Sequence, residues 1–244
     1  MKALLLSAGL GTRLKPFTEK HPKALAPVNG ISLLEYNIRN LQRFGIYNIV
    51  VNVHHFADQI ISLLKEQNGF GSQIEISDES DAVLETGGGL KKAARFLQEE
   101  DFLVMNVDIL SDFNFSDLLQ QHKAQKPLAT LAVQERVSSR YFLFNNNMEL
   151  KGWENVQTGE QKIPNQMARN ELKPLAFSGI QIFNNSIFEK MNMQGKFSLV
   201  DVYLQLCSTE KIQAWNHSGD LLLDVGKPES LVKAATLFNN IKKY

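Results

Sequence analysis

A glycine-containing stretch near the N-terminus combines residue types that bind phosphate groups. Gly9 and Gly11 can turn backbone N–H groups toward an anion, because glycine tolerates a positive φ. Arg13 adds a permanently charged planar group that matches phosphate oxygens. The stretch also holds further cations and three prolines that oppose an immediate helix: Lys15, Lys20, Lys23, Pro16, Pro22 and Pro27. The sequence therefore predicts an ordered phosphate-binding loop, in preference to a turn whose charges are merely solvated.

The same stretch fits neither of two common glycine-rich fingerprints. A dinucleotide site needs a third glycine three residues after Gly11, and that position holds Leu14. A P-loop needs Lys and then Ser or Thr after its glycine, whereas Thr12 and Arg13 follow Gly11. The sequence therefore predicts a phosphate site of another kind.

Two aspartates stand at the ends of short apolar segments that we predict to be strands. Asp108 follows FLVMNV, and Asp224 ends LLLD. In an open parallel sheet, ligands bind beyond the carboxyl ends of the strands. Taken alone, each aspartate is equally well explained as a turn or helix-capping residue.

The first half of the chain alternates predicted strands with amphipathic helices, which is the pattern of an α/β fold. Strands are predicted at residues 2–7, 48–53, 72–77 and 102–107. Helices are predicted around residues 34–41 and 57–64, and from 87 to 97 where a glycine run begins the segment. Such alternation predicts a mainly parallel sheet wrapped on both faces.

The second half of the chain is less regular. Residues 129–135 and 141–145 are predicted as neighbouring strands, and the polar segment after them has Gly152 and Gly159 as turns. The remaining predicted elements are strands at 176–183, 211–216 and 221–225 and helices at 199–206 and from Pro228 onward. We predict one domain over residues 1–244, an α/β fold with a Rossmann-like, mostly parallel or mixed sheet flanked by helices.

Composition excludes several classes of function. The 26 basic and 26 acidic residues balance, so no net positive field draws the chain to nucleic acid or to an anionic membrane. The single cysteine, Cys207, excludes an internal disulfide. The apolar run at the N-terminus is shorter than the core of a signal peptide, and no apolar stretch reaches membrane-spanning length. We therefore expect a cytoplasmic protein.

The stretch LSAGLGTRLKPFTEKHPKAL closely resembles the motif of the sugar-nucleotide pyrophosphorylases, L-x-A/G-G-x-G-x-R-L-x-P-L-T followed by P-K-P-L. It departs from that motif at Phe17 and Ala24, both apolar exchanges. The resemblance extends over nearly the whole chain, through LETGGG, the strand before Asp108, FSGIQIF and DVGKPE. Within the family, LETGGG and the short length are most similar to the N-acetylmuramate-1-phosphate uridylyltransferases.

The resemblance implies a reaction and the residues that carry it. A sugar-1-phosphate oxygen attacks the α-phosphorus of a nucleoside triphosphate, and pyrophosphate leaves. Asp108 and Asp224 would hold Mg²⁺ between the phosphates. Arg13 would stabilise the departing phosphates, and Lys23 the α-phosphoryl group or the attacking phosphate. Because the nucleophile is already an anion, we expect no catalytic base.

The resemblance also assigns residues to the two substrates. The nucleotide would lie on the loop and on the start of the glycine helix, where the bare backbone reads the base edge: Leu6, Ala8, Gly9, Gly11, Glu85, Gly87 and Gly88. The sugar phosphate would lie near Asn106 and Gly179. The family's Glu-Lys pair for this substrate is Glu154 followed by Asn155 here, so the missing cation is assigned to Lys23 or to Arg140.

Three alternatives to a uridylyltransferase stay open. Asp78 or Glu79 in SDESD could bind the N–H groups of guanine, which would make the enzyme a mannose- or heptose-1-phosphate guanylyltransferase. A cytidylyltransferase for phosphocholine shares the loop but usually departs at P-K-P-L. A domain that only senses a sugar nucleotide would not need all four of Arg13, Lys23, Asp108 and Asp224. The predicted partners are a triphosphate and a sugar 1-phosphate, bound by a monomer.

Overall fold

The computed structural model describes residues 1–238, which form a mixed α/β sheet flanked by helices. The strands of this part of the chain are β1 Lys2–Leu6, β2 Pro27–Val28, β3 Ile31–Ser32, β4 Asn48–Val53, β5 Gln73–Asp78, β6 Phe102–Asn106, β7 Ile109–Ser111, β8 Ala129–Gln134, β9 Arg140–Phe144, β10 Leu150–Asn155, β11 Glu160–Lys162, β12 Lys173–Phe183, β13 Ile212–Asn216 and β14 Leu222–Asp224. The α-helices are α1 Leu33–Arg43, α2 Ala57–Glu66, α3 Glu85–Lys92, α4 Ala94–Leu97, α5 Phe115–Gln125, α6 Ile187–Lys190, α7 Leu199–Leu206 and α8 Pro228–Leu237.

The main sheet joins a parallel half to an antiparallel half. Its strands run in the order β11-β10-β9-β12-β6-β1-β4-β5, and β8 and β13 join through β12. The strands β6, β1, β4 and β5 are parallel, and β12 pairs antiparallel to β6. This topology confirms the predicted single α/β domain for the described residues; the last six residues of the predicted range lie outside them.

The strands β1, β4 and β6 are buried on both faces, because helices cover both sides of the sheet, whereas the edge strand β5 exposes Gln73, Glu75 and Asp78. In β1, Leu4 packs in the core cluster on one face, while Ala3 and Leu5 pack in the cluster on the other. The continuous apolar runs of the sequence therefore mark buried parallel strands. No helix within residues 1–238 is both long and apolar enough to cross a membrane.

Three details of the predicted organisation are wrong. The strands β8 and β9 do not pair with each other, and each pairs with β12 instead. Gly152 lies inside β10, where an added Cβ would come within 2.7 Å of the Lys162 carbonyl oxygen, so it permits strand packing and is not a turn. The predicted helix over 87–97 is two helices, α3 and α4, and the first begins at Glu85. The predicted turn at Gly159 is confirmed, with φ +76°.

A bulge interrupts β12 at its middle. Phe177 pairs with Val133, but the next pair is Gln181 with Leu131, so three residues oppose one. Gly179 in the bulge has φ +73°, a conformation that favours glycine. The bulge lies beside the carboxyl end of β6, since a Cβ on Gly179 would come within 3.0 Å of Asn106 Nδ2.

Candidate active site

The loop after β1 is built from three short turns. Residues Thr12–Leu14, Phe17–Glu19 and Lys23–Leu25 form 3₁₀ turns, and Leu14 and Ala24 are buried beneath them. The Thr18 hydroxyl donates to the Gly11 carbonyl oxygen at 2.9 Å. The loop is therefore folded and anchored in the protein, as the prolines and apolar residues of the sequence predict.

Gly9 and Gly11 are glycines for different physical reasons. Gly11 has φ +60°, and a Cβ there would come within 2.9 Å of both the Thr18 methyl group and Lys23 Cβ. A Cβ at Gly9 would meet nothing within 4 Å. Gly11 is thus required by packing inside the loop, whereas Gly9 faces open space in which a ligand can lie.

Lys23 and Asp108 form an ion pair in the cleft. The Lys23 ammonium group contacts the Asp108 carboxylate, and each side chain is 13% exposed. The chain segment of Asp108 is fixed by two backbone bonds: Val107 N–H donates to Leu6 O at 3.1 Å, and Val225 N–H donates to Asp108 O at 2.8 Å. The second bond joins the two predicted metal-binding segments directly.

The pairing of β7 with β14 brings Asp224 to Asp108. In this short antiparallel ladder Asp224 lies opposite Ile109, the residue after Asp108. Solvent reaches the Asp224 side chain, yet desolvation by the surrounding protein raises its pKa, and the negative charge of Asp108 raises it further. Lys23 and Arg13 oppose this shift. Two carboxylates and two cations thus share one cleft.

Arg13 and Asp224 both lie beside Gly226. A Cβ added to Gly226 would come within 2.8 Å of Arg13 Nη2 and 2.7 Å of Asp224 Oδ1. The missing side chain of Gly226 therefore leaves room for the guanidinium group and the carboxylate, and a larger residue would have to displace them.

The two aspartates could hold a divalent cation. Hard carboxylate oxygens that lie close together repel each other unless a cation or a proton is shared between them. Among residues 1–238 no group of three or more His, Cys, Asp or Glu side chains suits a metal ion. A cation here would therefore take its other ligands from water and phosphate, which is how Mg²⁺ is commonly bound with nucleotides.

A cleft of about 240 Å³ opens beside this cluster. Its lining includes seven of the residues predicted from the sequence: Leu6, Ala8, Gly9, Lys23, Glu85, Asn106 and Asp108. Glu85 has φ +59°, and its carboxylate lies 3.5 Å from the Lys196 ammonium group. Both side chains are exposed, so Glu85 lies at the solvent edge of the cleft. The loop, the carboxyl end of β6 and the start of α3 are therefore brought together as predicted.

A buried polar network beneath the cleft was not predicted as a unit. The Asn52 amide oxygen accepts from Ser7 N–H at 2.6 Å and from Ala8 N–H at 3.3 Å. Asn52 Nδ2 donates to Glu79 Oε1 at 2.7 Å. Burial raises the pKa of the Glu79 carboxyl group, and the bond from Asn52 opposes that shift. The polar Asn52 within the apolar strand NIVVNV is the sequence feature that could have revealed the network.

Gly87 and Gly88 of α3 make contacts within the protein. Their N–H groups both donate to Phe197 O, at 3.0 and 3.2 Å. A Cβ at Gly87 would come within 2.5 Å of the Phe197 ring, and one at Gly88 would overlap the Gly195 carbonyl oxygen. Their missing side chains let α3 pack closely on the segment before α7, and their assignment to the nucleotide stays a prediction.

Gly179 and Asn106 meet behind Asp108. A Cβ at Gly179 would lie 2.9 Å from Ile109 Cγ1 and 3.0 Å from Asn106 Nδ2. A side chain in the bulge would therefore displace Asn106, which lines the cleft. The family glycine at this position keeps the cleft wall in place here.

Glu154 and Arg140 are not among the residues that line this cleft. Glu154 is buried, and both of its oxygens bind Arg169, at 2.5 and 2.7 Å. The bonds from Arg169 lower the pKa of Glu154. Arg140 is exposed at the start of β9, opposite Asn155. Arg169 lies in a polar, irregular segment, and no pattern in the sequence indicates its partner.

The fold and the cleft together define a nucleotide-binding α/β protein, with a phosphate-type loop and paired aspartates at the carboxyl edge of the sheet. The chain belongs to the nucleotidyl transferase family, whose family model matches residues 2–240. This match confirms the resemblance noted in the sequence.

Relatives of known name share the full length of the chain. It is 29% identical over 240 residues to N-acetylmuramate alpha-1-phosphate uridylyltransferase of Neisseria meningitidis, covering 97% of this chain and 98% of that protein. It is 27% identical over 248 residues to mannose-1-phosphate guanyltransferase of Aspergillus oryzae, covering 98% of this chain but 64% of that longer protein. The crystal structure of HddC from Yersinia pseudotuberculosis complexed with GMP-PN has the same fold, with a TM-score of 0.77 at 22% identity over 97% of this chain and 99% of that one.

Proposed function

We propose that this protein transfers a nucleotidyl group from a nucleoside triphosphate to a sugar 1-phosphate and releases pyrophosphate. The observation that carries the proposal is the cluster of Arg13, Lys23, Asp108 and Asp224 at one end of the cleft. The relatives that match the chain along its length are named for transfer to sugar 1-phosphates, which supports the same reaction.

The reaction requires the protein to hold two anions close together. It does not require a proton transfer. The attacking phosphate oxygen is already negative, so the barrier comes from bringing two anions into line and from charge that develops on the leaving group. Arg13 and Lys23 supply positive charge at the loop, and Gly9 leaves room for the triphosphate beside them. No side chain is needed as a nucleophile.

We propose Mg²⁺ as the cofactor, held by Asp108 and Asp224. When bound, it would offset the charge of the phosphates and orient them. The two carboxylates balance only the two cations of the cleft, so a triphosphate adds negative charge that the protein alone does not neutralise. A site with fewer than three such side chains among the described residues also fits a cation that completes its shell with phosphate and water.

For the substrates we propose UTP and N-acetylmuramate 1-phosphate. A relative from Caulobacter vibrioides with this named activity is 44% identical over 108 residues, or 43% of this chain. The second candidate pair is GTP with mannose or heptose 1-phosphate, which Glu79 favours. This buried carboxyl group lines the cleft, and its oxygen is an acceptor that suits the N–H groups of guanine. Uracil offers one such donor, N3–H, whereas guanine offers two, N1–H and N2–H.

A grid of four nucleoside triphosphates against several sugar 1-phosphates, assayed as pyrophosphate release with Mg²⁺, tests the proposal. We expect the fastest turnover for UTP with N-acetylmuramate 1-phosphate. Faster turnover for GTP with mannose 1-phosphate would shift the assignment to the second candidate. No release from any pair would refute nucleotidyl transfer to sugar phosphates. We further propose a monomer that works in the cytoplasm, where triphosphates are available.

A further inference from the structure

We infer that Arg136 binds the phosphate of the acceptor sugar 1-phosphate. The inference rests on the proposed function and supplies the cation that is missing at Asn155. Arg136 lies in the connection between β8 and β9, two residues after the end of β8.

Arg136 is anchored to the bulge of β12. Its Nη2 atom donates to the Phe177 carbonyl oxygen at 2.9 Å. Phe177 is the last paired residue before the bulge, and Gly179 follows two residues later. The guanidinium group is therefore tied to the bulge that packs against Asn106, a residue of the cleft lining.

The β12 bulge that anchors Arg136 is itself held by further contacts. The Ser178 hydroxyl and His217 Nε2 are 2.7 Å apart, and both residues are buried. The His217 ring stacks on Trp215 with 5.2 Å between ring centroids. Gln134, at the end of β8, donates to Asp220 O at 2.9 Å. These contacts fix both the bulge and the strand end from which Arg136 extends, so the position of the guanidinium group is preorganised.

The charge of Arg136 is available to a ligand. Its side chain is solvent-exposed, and it forms no ion pair with a carboxylate within residues 1–238. Of its five N–H donors, the structure uses one on Phe177, and the planar group presents the remainder as a fork that matches a phosphate. Desolvation lowers the pKa of Arg136, and the negative charge of Asp224 opposes that shift.

The cations on the loop side lie apart from Arg136. Lys23 is paired with Asp108, and Arg13 lies beside Gly226. Arg136 lies on the β12 side, where it is bonded to Phe177, two residues before the Gly179 that borders Asn106. In this arrangement the triphosphate binds the cations of the loop, and the sugar phosphate binds Arg136.

Steady-state kinetics of Arg136→Gln and Arg136→Lys test the inference, with the substrate pair that the wild-type protein turns over fastest in the grid above. We expect Arg136→Gln to raise KM for the sugar 1-phosphate about 10- to 100-fold, the effect of losing a charge-assisted bond, with KM for the triphosphate within about twofold of wild type. Arg136→Lys keeps the positive charge but lacks the paired N–H groups of the guanidinium. We expect its KM for the sugar 1-phosphate to lie between the values of wild type and Arg136→Gln.

The control is Arg95→Gln, which removes an exposed arginine of α4 from the amino-terminal edge of the parallel strands, near Lys2 and Asn48. It is expected to match wild type in both KM values. An unchanged KM for the sugar 1-phosphate in Arg136→Gln, or an equal rise in both KM values, would overturn the inference while leaving the proposed function intact. Failure of the wild-type protein to turn over any pair would overturn both.

Discussion

Gly9 lines the cleft and Gly226 lies beside Arg13 and Asp224, and the space around the two glycines differs. A Cβ at Gly9 would meet no protein atom within 4 Å, whereas one at Gly226 would press on Arg13 Nη2 and Asp224 Oδ1. The first glycine leaves room for a ligand, and the second leaves room for the side chains that act on it. A substitution at Gly9 therefore tests ligand binding, and a substitution at Gly226 tests the charged cluster.

Replacing Gly9 with alanine should affect binding and not folding. Because nothing in the protein occupies the space of the new methyl group, we expect the free energy of unfolding to change by less than about 0.5 kcal/mol. We expect KM for the triphosphate to rise about tenfold or more, since the methyl group would occupy the path of the phosphates. Urea unfolding and initial rates of pyrophosphate release measure the two effects. An unchanged KM would remove Gly9 from the nucleotide site.

Removing either carboxylate of the pair should slow turnover without unfolding the protein. We expect Asp108→Asn and Asp224→Asn each to lower kcat about 100-fold or more, because each loses a charged ligand of the proposed Mg²⁺. Rates at increasing Mg²⁺ would check this, with circular dichroism to show that the fold is kept. Wild-type turnover in both variants at saturating Mg²⁺ would contradict the metal assignment.

The charged residues of the site are easier to predict from the sequence than the residues whose partners lie far away in the chain. Arg13 and Lys23 belong to a long local motif, and Asp108 and Asp224 end apolar strands, so each carries a pattern along the chain. Arg136 and Asn52 act through residues far away in sequence, Phe177 and Glu79. Only the folded sheet brings these partners together.

At the scale of secondary-structure elements, the packing of α3 against its neighbour explains the glycines of its first turn. The glycines of its first turn let it approach the segment before α7, and the backbone of Phe197 accepts from two of them. The sequence predicts a helix that begins with glycines, and the close packing of α3 is the physical reason that Gly87 and Gly88 lack side chains. Close helix packing explains these two glycines, whereas a Cβ at Gly89 would come within 2.7 Å of Glu79 Oε1.

Alanine at Gly88 should weaken this packing. The new Cβ would overlap the Gly195 carbonyl oxygen, a backbone atom that cannot rotate away. We expect the free energy of unfolding to fall by about 1–3 kcal/mol, the usual cost of overpacking. Urea unfolding measures the change, and Gly9→Ala is the matched control. Equal stability of the Gly88 and Gly9 variants would show that α3 moves aside easily.

The second half of the sheet shows where pattern alone is insufficient. The strand segments β8 and β9 are recognisable from their apolar runs, but both pair with β12, which follows them by some thirty residues or more in the sequence. Local periodicity reports which residues form strands and which face is buried. The choice of neighbour depends on long-range packing, so the predicted pairing was wrong although the strands were right.

At the scale of the whole molecule, stability should depend on pH through His217. Burial, with a further contribution from the positive charge of Arg136, lowers its pKa from 6.5 to about 4. The unfolded chain therefore takes up a proton before the folded one as the pH falls. The folded state keeps its full stability above about pH 6.5 and loses it progressively down to about pH 4.

The loss between about pH 7 and about pH 5 should be on the order of 2 kcal/mol from this residue. Urea unfolding at both pH values measures it, and His217→Gln should make the dependence shallower because glutamine does not titrate. The buried His122, whose pKa burial also lowers, adds a contribution of the same sign in both proteins. The same pH slope in wild type and variant would contradict the assignment to His217.

The parallel half of the sheet and the bulged β12 converge on one cleft. The loop after β1 and the end of β6 line the cleft, the β7–β14 ladder brings Asp224 to Asp108, and the β12 bulge packs against Asn106 from behind. This convergence follows from topology, because the carboxyl ends of parallel strands share an edge. The general position of the site was predictable from the order of strands and helices, whereas the packing of the bulge against Asn106 was not.

The fate of the individual phosphates of the triphosphate tests the account most directly. The protein is incubated with Mg²⁺, N-acetylmuramate 1-phosphate and UTP that is radiolabelled at either the α- or the γ-phosphorus. The account predicts that the α-label appears in a nucleoside diphosphate sugar and the γ-label in pyrophosphate. Transfer of the γ-label to the sugar, or its release as inorganic phosphate without a sugar nucleotide, would contradict nucleotidyl transfer in this cleft.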